Sequence, residues 1–334
     1  MKSNEIHSKI SVIIPCYNAE ELIRETLRSL EMQTFRDFEV ICINDGSIDN
    51  TIEIINEFTN QSNLKIKCFS QKNGGVSRAR NRGIKEAKSD YITFLDADDV
   101  YHPYFLEALY KQMRTDIDTV YCKLTRNLET LNFNKLSNSL VLVSSEENRD
   151  QFMKKALYKM GIYGFYCYLY KKSIIDEFNI VFPVDIKYGE DREFIWKYLT
   201  HCKKAAYVDE TLYGYRDNPM SVVNTTNWRR TDALTSVINT EKYLKVNRCE
   251  FYAEFKQYMY ARNMWAVAKN FTQGNRKDLF LLLIKEYDVG SPMKYLNKNR
   301  NKLVALSSIL YRIHPMLFFR TIRIYYFIKN LVTL

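Results

Sequence analysis

A chain of 334 residues is long enough for about two domains and a large core, and its 46% hydrophobic and 26% charged residues exclude a disordered polymer. The net charge of +10 would suggest nucleic acid, but residues 291–334 hold eight Lys or Arg and no Asp or Glu, so the excess belongs to the tail. Seven scattered cysteines without Cys-x-x-Cys spacing read as reduced thiols, and a polar N-terminus without an apolar signal segment predicts a cytoplasmic chain.

From the N-terminus, apolar runs alternate with helix-like stretches, the pattern of a mostly parallel sheet flanked by helices. Ile10 to Cys16 predicts a buried strand, Ala19 to Gln33 a helix, Phe38 to Asn44 a second strand and Asp49 to Phe58 a second helix. Leu64 to Ser70, Val76 to Ala87 and Tyr91 to Leu95 continue as strand, helix and strand. Polar residues gather after each strand: Pro15-Cys16-Tyr17-Asn18, Asn44-Asp45-Gly46-Ser47, Asn73-Gly74-Gly75 and Asp96-Ala97-Asp98-Asp99. In open sheets of this kind ligands bind beyond the carboxyl ends of the strands.

Each cluster has two readings. Three carboxylates at a strand end suit a hard cation such as Mg²⁺ or Mn²⁺, which takes oxygen ligands from one or two carboxylates, water and phosphates. They equally suit an acidic turn before the helix that Pro103 opens. Asp45-Gly46-Ser47 is a turn with a helix cap or part of a binding site. Gly74-Gly75 relieves backbone strain or approaches a phosphate, and neither common nucleotide-binding glycine pattern is present. Of the arginines that follow, Arg78 and Arg82 share a helix face and Arg80 points elsewhere; one of the three faces a diphosphate and the others are solvated.

Farther on, Gly161 to Tyr170 alternates as an aromatic strand whose tyrosines serve the core or stack on sugar rings. Gly189-Glu190-Asp191 precedes a helix, Arg192 to Thr200, and either caps it or brings an acid to a site. Arg229 to Leu244, Glu250 to Phe271 and Lys277 to Tyr287 show helical periodicity. The basic tail interleaves its cations with Leu303, Ile309, Phe318, Ile322, Ile324, Phe327 and Ile328, a mixture expected of interfacial helices on anionic lipid or of a helix docked on its own domain. No apolar run is long enough to span a bilayer.

Taken together, Ser11-Val-Ile-Ile-Pro-Cys-Tyr-Asn18, Gln33-Thr34-Phe35, Asn44-Asp-Gly-Ser47, Asn73-Gly-Gly-Val-Ser77, Ala79-Arg-Asn-Arg-Gly83 and Phe94-Leu-Asp-Ala-Asp-Asp99 resemble glycosyltransferase family 2, of the bacterial surface-polysaccharide type. The resemblance runs in order through about the first 120 residues. It implies an inverting enzyme of α/β, GT-A fold, with a Rossmann-like nucleotide-binding half, an acceptor half and a C-terminal helical extension. The expected division is a catalytic domain over 1–222, with donor binding over 1–120 and the acceptor and base over 121–222, followed by helices over 223–334.

By the same resemblance, Pro15 and Tyr17 line the nucleotide pocket with Asn18 beside them, and Asp45 bonds the uracil of a UDP-sugar. Gly75 and Arg80 face the phosphates, Asp96 lies near the ribose and donor sugar, and Asp98 holds Mn²⁺ or Mg²⁺. Asp99 is expected to cap the next helix, and Asp191 to be the catalytic base. Leu212 to Arg216 resembles the closing strand, with Tyr215, Arg216 and Ser221 near the donor phosphates. Asn218-Pro219 replaces a histidine of some relatives, which argues against a third metal contact.

The implied reaction moves a hexosyl or N-acetylhexosaminyl group from a UDP-sugar to an oligosaccharide or lipid-linked saccharide, giving a β-glycosidic bond, at the inner face of the cytoplasmic membrane and without nucleic acid. The alternatives are a sugar-nucleotide pyrophosphorylase, whose basic N-terminal phosphate loop is missing from Ile10 to Asn18, and a non-catalytic glycan- or nucleotide-binding scaffold.

Overall fold

The structure is a computed structural model that describes residues 7–131, 144–158, 164–217, 225–247, 249–297, 299 and 301–332. It divides into two compact units, Met1–Val184 with His201–Pro219, and Asp185–Thr200 with Met220–Leu334.

The first unit follows the alternating pattern. Strand β1 (Ile10–Cys16) leads to α1 (Ile23–Glu31), β2 (Phe38–Asn44) to α2 (Thr51–Gln61), and β3 (Lys65–Ser70) to α3 (Val76–Glu86) and β4 (Tyr91–Phe94). Then come β5 (Val100–Tyr101), α4 (Phe105–Gln112), β6 (Thr119–Thr125), β7 (Ser144–Asn148), α5 (Arg149–Tyr158), β8 (Tyr168–Lys171) and α6 (Lys172–Glu177). Helix α7 (Glu190–His201) precedes the long β9 (Lys204–Gly214). Among the described residues nine strands form one sheet in the order β3-β2-β1-β4-β8-β6-β9-β5, with β7 pairing on β9.

Strands β1 to β4 are parallel neighbours. Every residue of β1 and β2 is buried, as a parallel sheet covered on both faces requires. Edge strand β3 alternates exposed and half-buried positions along most of its length. Helix α1 buries Ile23, Thr26, Leu27 and Leu30, the spacing of a single helical face. Helix α3 comes closest to the sheet at Gly83, where a Cβ would lie 2.3 Å from Ile13 Cγ2. Three thiols lie on adjacent strands of the sheet: Cys42 pairs in register with Cys68, and Cys16 ends β1. All seven cysteines are free, and six are buried.

The aromatic run expected as one strand is divided. Residues 161–163 lie outside the described residues, Phe165–Cys167 form a 3₁₀ turn, and only Tyr168–Lys171 pair as a strand, antiparallel to β4 and β6. Its rings pack as core: Tyr168 and Tyr170 are buried, and Tyr121 stacks on Tyr168 at 5.0 Å.

The second unit is helical. Besides α7 it holds α8 (Asp232–Val246), α9 (Tyr252–Gln273), α10 (Lys277–Glu286), α11 (Gly290–Met293), α12 (Lys302–Ile313) and α13 (Pro315–Val332). Its core gathers Met264, Trp265, Phe271, Phe280, Phe318 and Ile322, all close to fully buried. The Trp265 indole N–H donates to Ser307 Oγ at 2.8 Å, and Asn301 Oδ1 accepts the Leu303 and Val304 amides to cap α12. The sequence boundary near 222 leaves 185–200 with the sheet, whereas here that stretch groups with the helices. Trp196 packs edge-on against Phe255 at 4.7 Å, and Arg192 hydrogen-bonds Asn263.

The tail has two apolar faces. Phe318, Phe319 and Ile322 enter the core, while Leu317, Ile324, Ile328 and Leu331, at spacings of seven, four and three, share the opposite face of α13 and are exposed. Among the described residues no helix is long and apolar enough to cross a membrane.

Candidate functional site

The carboxyl ends of β1 to β4 supply the site. Asp45, directly after β2, is 3% exposed, and its carboxylate receives three donors. Gln71 Nε2 and the Gly74 amide reach Oδ1 at 2.7 and 2.9 Å, and the Gly75 amide reaches Oδ2 at 2.7 Å. Asp45 therefore fixes the glycine loop to the end of β2. Gly75 has φ +88°, a conformation that disfavours a side chain, and open space where a Cβ would stand. It also begins α3, whose N-terminal amides and dipole favour an anion.

The turn after β1 is tied to the turn after β2. Asn18, at φ +48°, donates its amide to Ser47 Oγ at 3.1 Å, and its Oδ1 accepts the Ile48 amide at 3.0 Å. Asn44 Oδ1 accepts the Ser47 amide at 3.0 Å. Pro15 is buried within β1, and Tyr17 beyond it is 52% exposed.

After β4 the three aspartates separate into different environments. Asp96 accepts Arg80 at 2.9 Å, and Arg80 is 5% exposed with its guanidinium 4.4 Å over Phe165 and 5.4 Å from Phe182. Asp98 is partly exposed. Asp99 does not cap a helix. The short β5 pairs with β9 between Asp99 and α4, and Asp99, 1% exposed, accepts Tyr213 Oη at 2.6 Å and the Arg216 amide at 2.8 Å. Burial and the charges of Asp96 and Asp98 push its carboxyl up to about 8, against the lowering effect of Tyr213 and the Arg216 amide.

These residues fit a hard divalent cation. The donors are carboxylate oxygens, and the rise at Asp99, which comes first from burial, is increased by the charges of Asp96 and Asp98, which a cation would offset. Among the described residues no three His, Cys, Asp or Glu side chains form a ready-made cage. A cation here would have to complete its shell with phosphate and water.

Two side chains support the site from below, Thr26, which had no signal in the sequence, and Gln33, which opens the quoted Gln33-Thr34-Phe35 motif without a role being assigned to it. Thr26 of α1 donates to the carbonyls of Ala97 and Asp99, each at 2.9 Å, and fixes the aspartate loop from beneath. Gln33, fully buried, donates to the His102 carbonyl at 2.9 Å and accepts the Leu106 amide at 3.1 Å. Arg216 also pairs with Glu25, and the Arg126 guanidinium lies 4.4 Å over the Tyr215 ring. Ser221 and Asn218-Pro219 fall outside the described residues.

Asp191 belongs to the second unit, in the first turn of α7 with Glu190 and Glu193. It is partly exposed, and its Oδ1 accepts the Arg192 amide at 2.6 Å. Gly189, at φ +90°, turns the chain into the helix and accepts Ser236 Oγ at 2.6 Å.

Comparison with known proteins gives the family. Residues 11–178 match the Glycosyl transferase family 2 model. The uncharacterized glycosyltransferase EpsJ of Bacillus subtilis is 33% identical over 217 residues, 64% of this chain and 62% of EpsJ. The poly(ribitol-phosphate) beta-glucosyltransferase of Bacillus spizizenii is 32% identical over 213 residues, 62% of this chain and 32% of the relative. The chain thus spans less than two thirds of the length of these relatives. Among solved structures, Staphylococcus aureus TarS 1–349 in complex with UDP-GlcNAc superposes with a TM-score of 0.65 at 18% identity, over 95% of this chain and 91% of that one, which shows a shared fold. With half of its residues matched by the family model, this chain belongs to glycosyltransferase family 2.

Proposed function

We propose that this protein transfers a sugar from a UDP-sugar to a hydroxyl of a saccharide acceptor, with inversion to a β-linkage, in the assembly of a bacterial surface glycan. The observation that carries the reading is the convergence of the Asp45-held glycine loop, the Arg80–Asp96 pair and Asp98 at the ends of four adjacent parallel strands. The names of relatives support it: TarS is a poly(ribitol-phosphate) beta-N-acetylglucosaminyltransferase, and its structures hold UDP and UDP-GlcNAc. A mannosyltransferase of Pyrobaculum calidifontis with a similar fold was solved with GDP-Man and Mn²⁺.

In this reading Pro15, Tyr17, Asn18 and Asp45 bound the nucleoside, and the start of α3 at Gly75 receives the diphosphate. Arg80 holds the Asp96 carboxylate at 2.9 Å and aims it at the ribose and donor sugar. A Mg²⁺ or Mn²⁺ ion held by Asp98 would neutralise charge on the departing nucleoside diphosphate. Asp191 takes the proton of the acceptor hydroxyl as it attacks the anomeric carbon from the face opposite the leaving group. The test is a panel of UDP-Glc, UDP-Gal, UDP-GlcNAc, UDP-GalNAc and UDP-GlcA with Mn²⁺ and then with chelator. One donor is expected to release UDP, slowing on the order of 10²-fold or more when the metal is removed. Equal turnover in both conditions would overturn the metal assignment.

The outward face of α13 supports contact with an anionic membrane surface, because apolar residues there lie beside exposed Arg320 and Arg323 in a stretch without acids. Deleting the tail would also strip Phe318 and Ile322 from the core, so the outer residues alone should be changed. Ile324→Ser, Phe327→Ser and Ile328→Ser together should weaken sedimentation with phosphatidylglycerol vesicles by about tenfold. Turnover of a soluble acceptor should stay unchanged, and undiminished sedimentation would remove membrane contact from the proposal.

A further inference from the structure

Helix α9 carries two cations that its sequence leaves without acids. Arg262, Trp265 and Lys269 are spaced three and four residues apart and so share one helix face. The Arg262 guanidinium lies 4.8 Å and the Lys269 ammonium 5.6 Å from the Trp265 ring centroid, and Lys269 is 5.8 Å from that of Tyr326 on α13. Arg192 of α7 hydrogen-bonds Asn263 and lies close enough to Arg262 for its charge to act there. Arg230 lies 4.4 Å over the Tyr188 ring in the same unit.

Among the described residues, neither Arg262 nor Lys269 makes an ion pair or hydrogen bond. The charges felt at Lys269 are those of Arg262, Arg230 and Lys329, and Arg192 acts on Arg262 in turn. Burial holds both groups below their ordinary values; like charges add to it at Lys269, whereas at Arg262 the effect of Arg192 is opposed by Tyr258 and Tyr326. Partial burial of cations without a counter-charge is costly, and a bound anion would offset that cost. The aromatic faces help to hold the cations in place.

We infer that this basic and aromatic face of the second unit is a binding site for a phosphate ester, formed by Arg262 and Lys269 with Arg192 and Arg230 beside them. Several donors on separate side chains suit the multiple oxygens of phosphate better than a single carboxylate. Arg192 directly follows Asp191, so the ester belongs to the acceptor; this last step rests on the reading of Asp191 as base, whereas the site itself does not. Two sources share the chemistry, a soluble polyol phosphate and the headgroup phosphate of a lipid-borne acceptor.

The test is calorimetric titration of the full chain with glycerol phosphate, in EDTA and without UDP. Saturable binding is expected, and R262Q/K269Q should bind at least about tenfold more weakly. R262K/K269R, which keeps both charges, should stay within about threefold of the parent, and UDP affinity measured with Mn²⁺ should be the same in all three. A second arm replaces the soluble ester by vesicles containing phosphatidic acid. Binding to vesicles alone that is lost in R262Q/K269Q supports a lipid-borne ester. Equal affinity of the parent and R262Q/K269Q in either arm, or no saturable binding by the parent in both, overturns the site. Because no donor is present, this outcome is independent of whether any UDP-sugar is turned over.

Discussion

Asp191→Asn is expected to slow sugar transfer by on the order of 10²- to 10⁴-fold while leaving donor affinity within about twofold. The choice of asparagine separates two roles that the same geometry permits. Asp191 accepts the Arg192 amide at 2.6 Å in the first turn of α7, where an acidic residue also stabilises the helix. An asparagine oxygen accepts that amide equally well and serves near helix N-termini about as well as aspartate. It cannot take a proton from an attacking hydroxyl. A cap alone would therefore leave kcat nearly unchanged, and so would a scaffold that has no turnover to lose. Transfer rate and UDP-sugar binding, measured on the same preparation, decide between them.

Arg80→Met is expected to destabilise the first unit by about 2–3 kcal/mol, toward the lower end for breaking a buried pair because Asp96 retains some access to water. The guanidinium is held by Asp96 at 2.9 Å and by the faces of Phe165 and Phe182, so methionine fills part of the space but leaves a carboxylate without its cation. A fall in Tm of roughly 5–10 °C should follow. Adding Asp96→Asn removes the stranded charge, so the double variant should lose less than the sum of the single losses. Strict additivity, or a Tm for Arg80→Met within 1 °C of the parent, would mean that the pair contributes nothing.

The sequence was most legible where strands are buried on both faces. Ile10–Cys16 and Phe38–Asn44 appear with the predicted bounds because their apolar runs end in polar turn residues. The helices around α9 and α10 were legible from periodicity to within a few residues. Legibility failed where a residue's partner is remote. Asp99 looked like a cap because α4 lies just downstream, yet its partners Tyr213 and Arg216 are more than a hundred positions away. Residues 185–200 looked continuous with the sheet because no Pro, Gly or Ser linker marks a break. Its ties to the helices are remote in sequence: Trp196 packs on Phe255, Arg192 hydrogen-bonds Asn263 and Ser236 donates to the Gly189 carbonyl. Likewise the aromatic alternation of 164–170 was real, but a 3₁₀ turn takes up its first half.

The thiols of β1 and β3 differ from ordinary cysteines in their chemistry. Cys68 is pushed up to about 11 by burial and by its neighbour Cys42, and Cys16 is raised as well. Alkylating agents and peroxides attack the sulfur anion. Near neutral pH almost none of that anion is present at these two positions, so these two sulfurs are poor nucleophiles while the sheet stays folded.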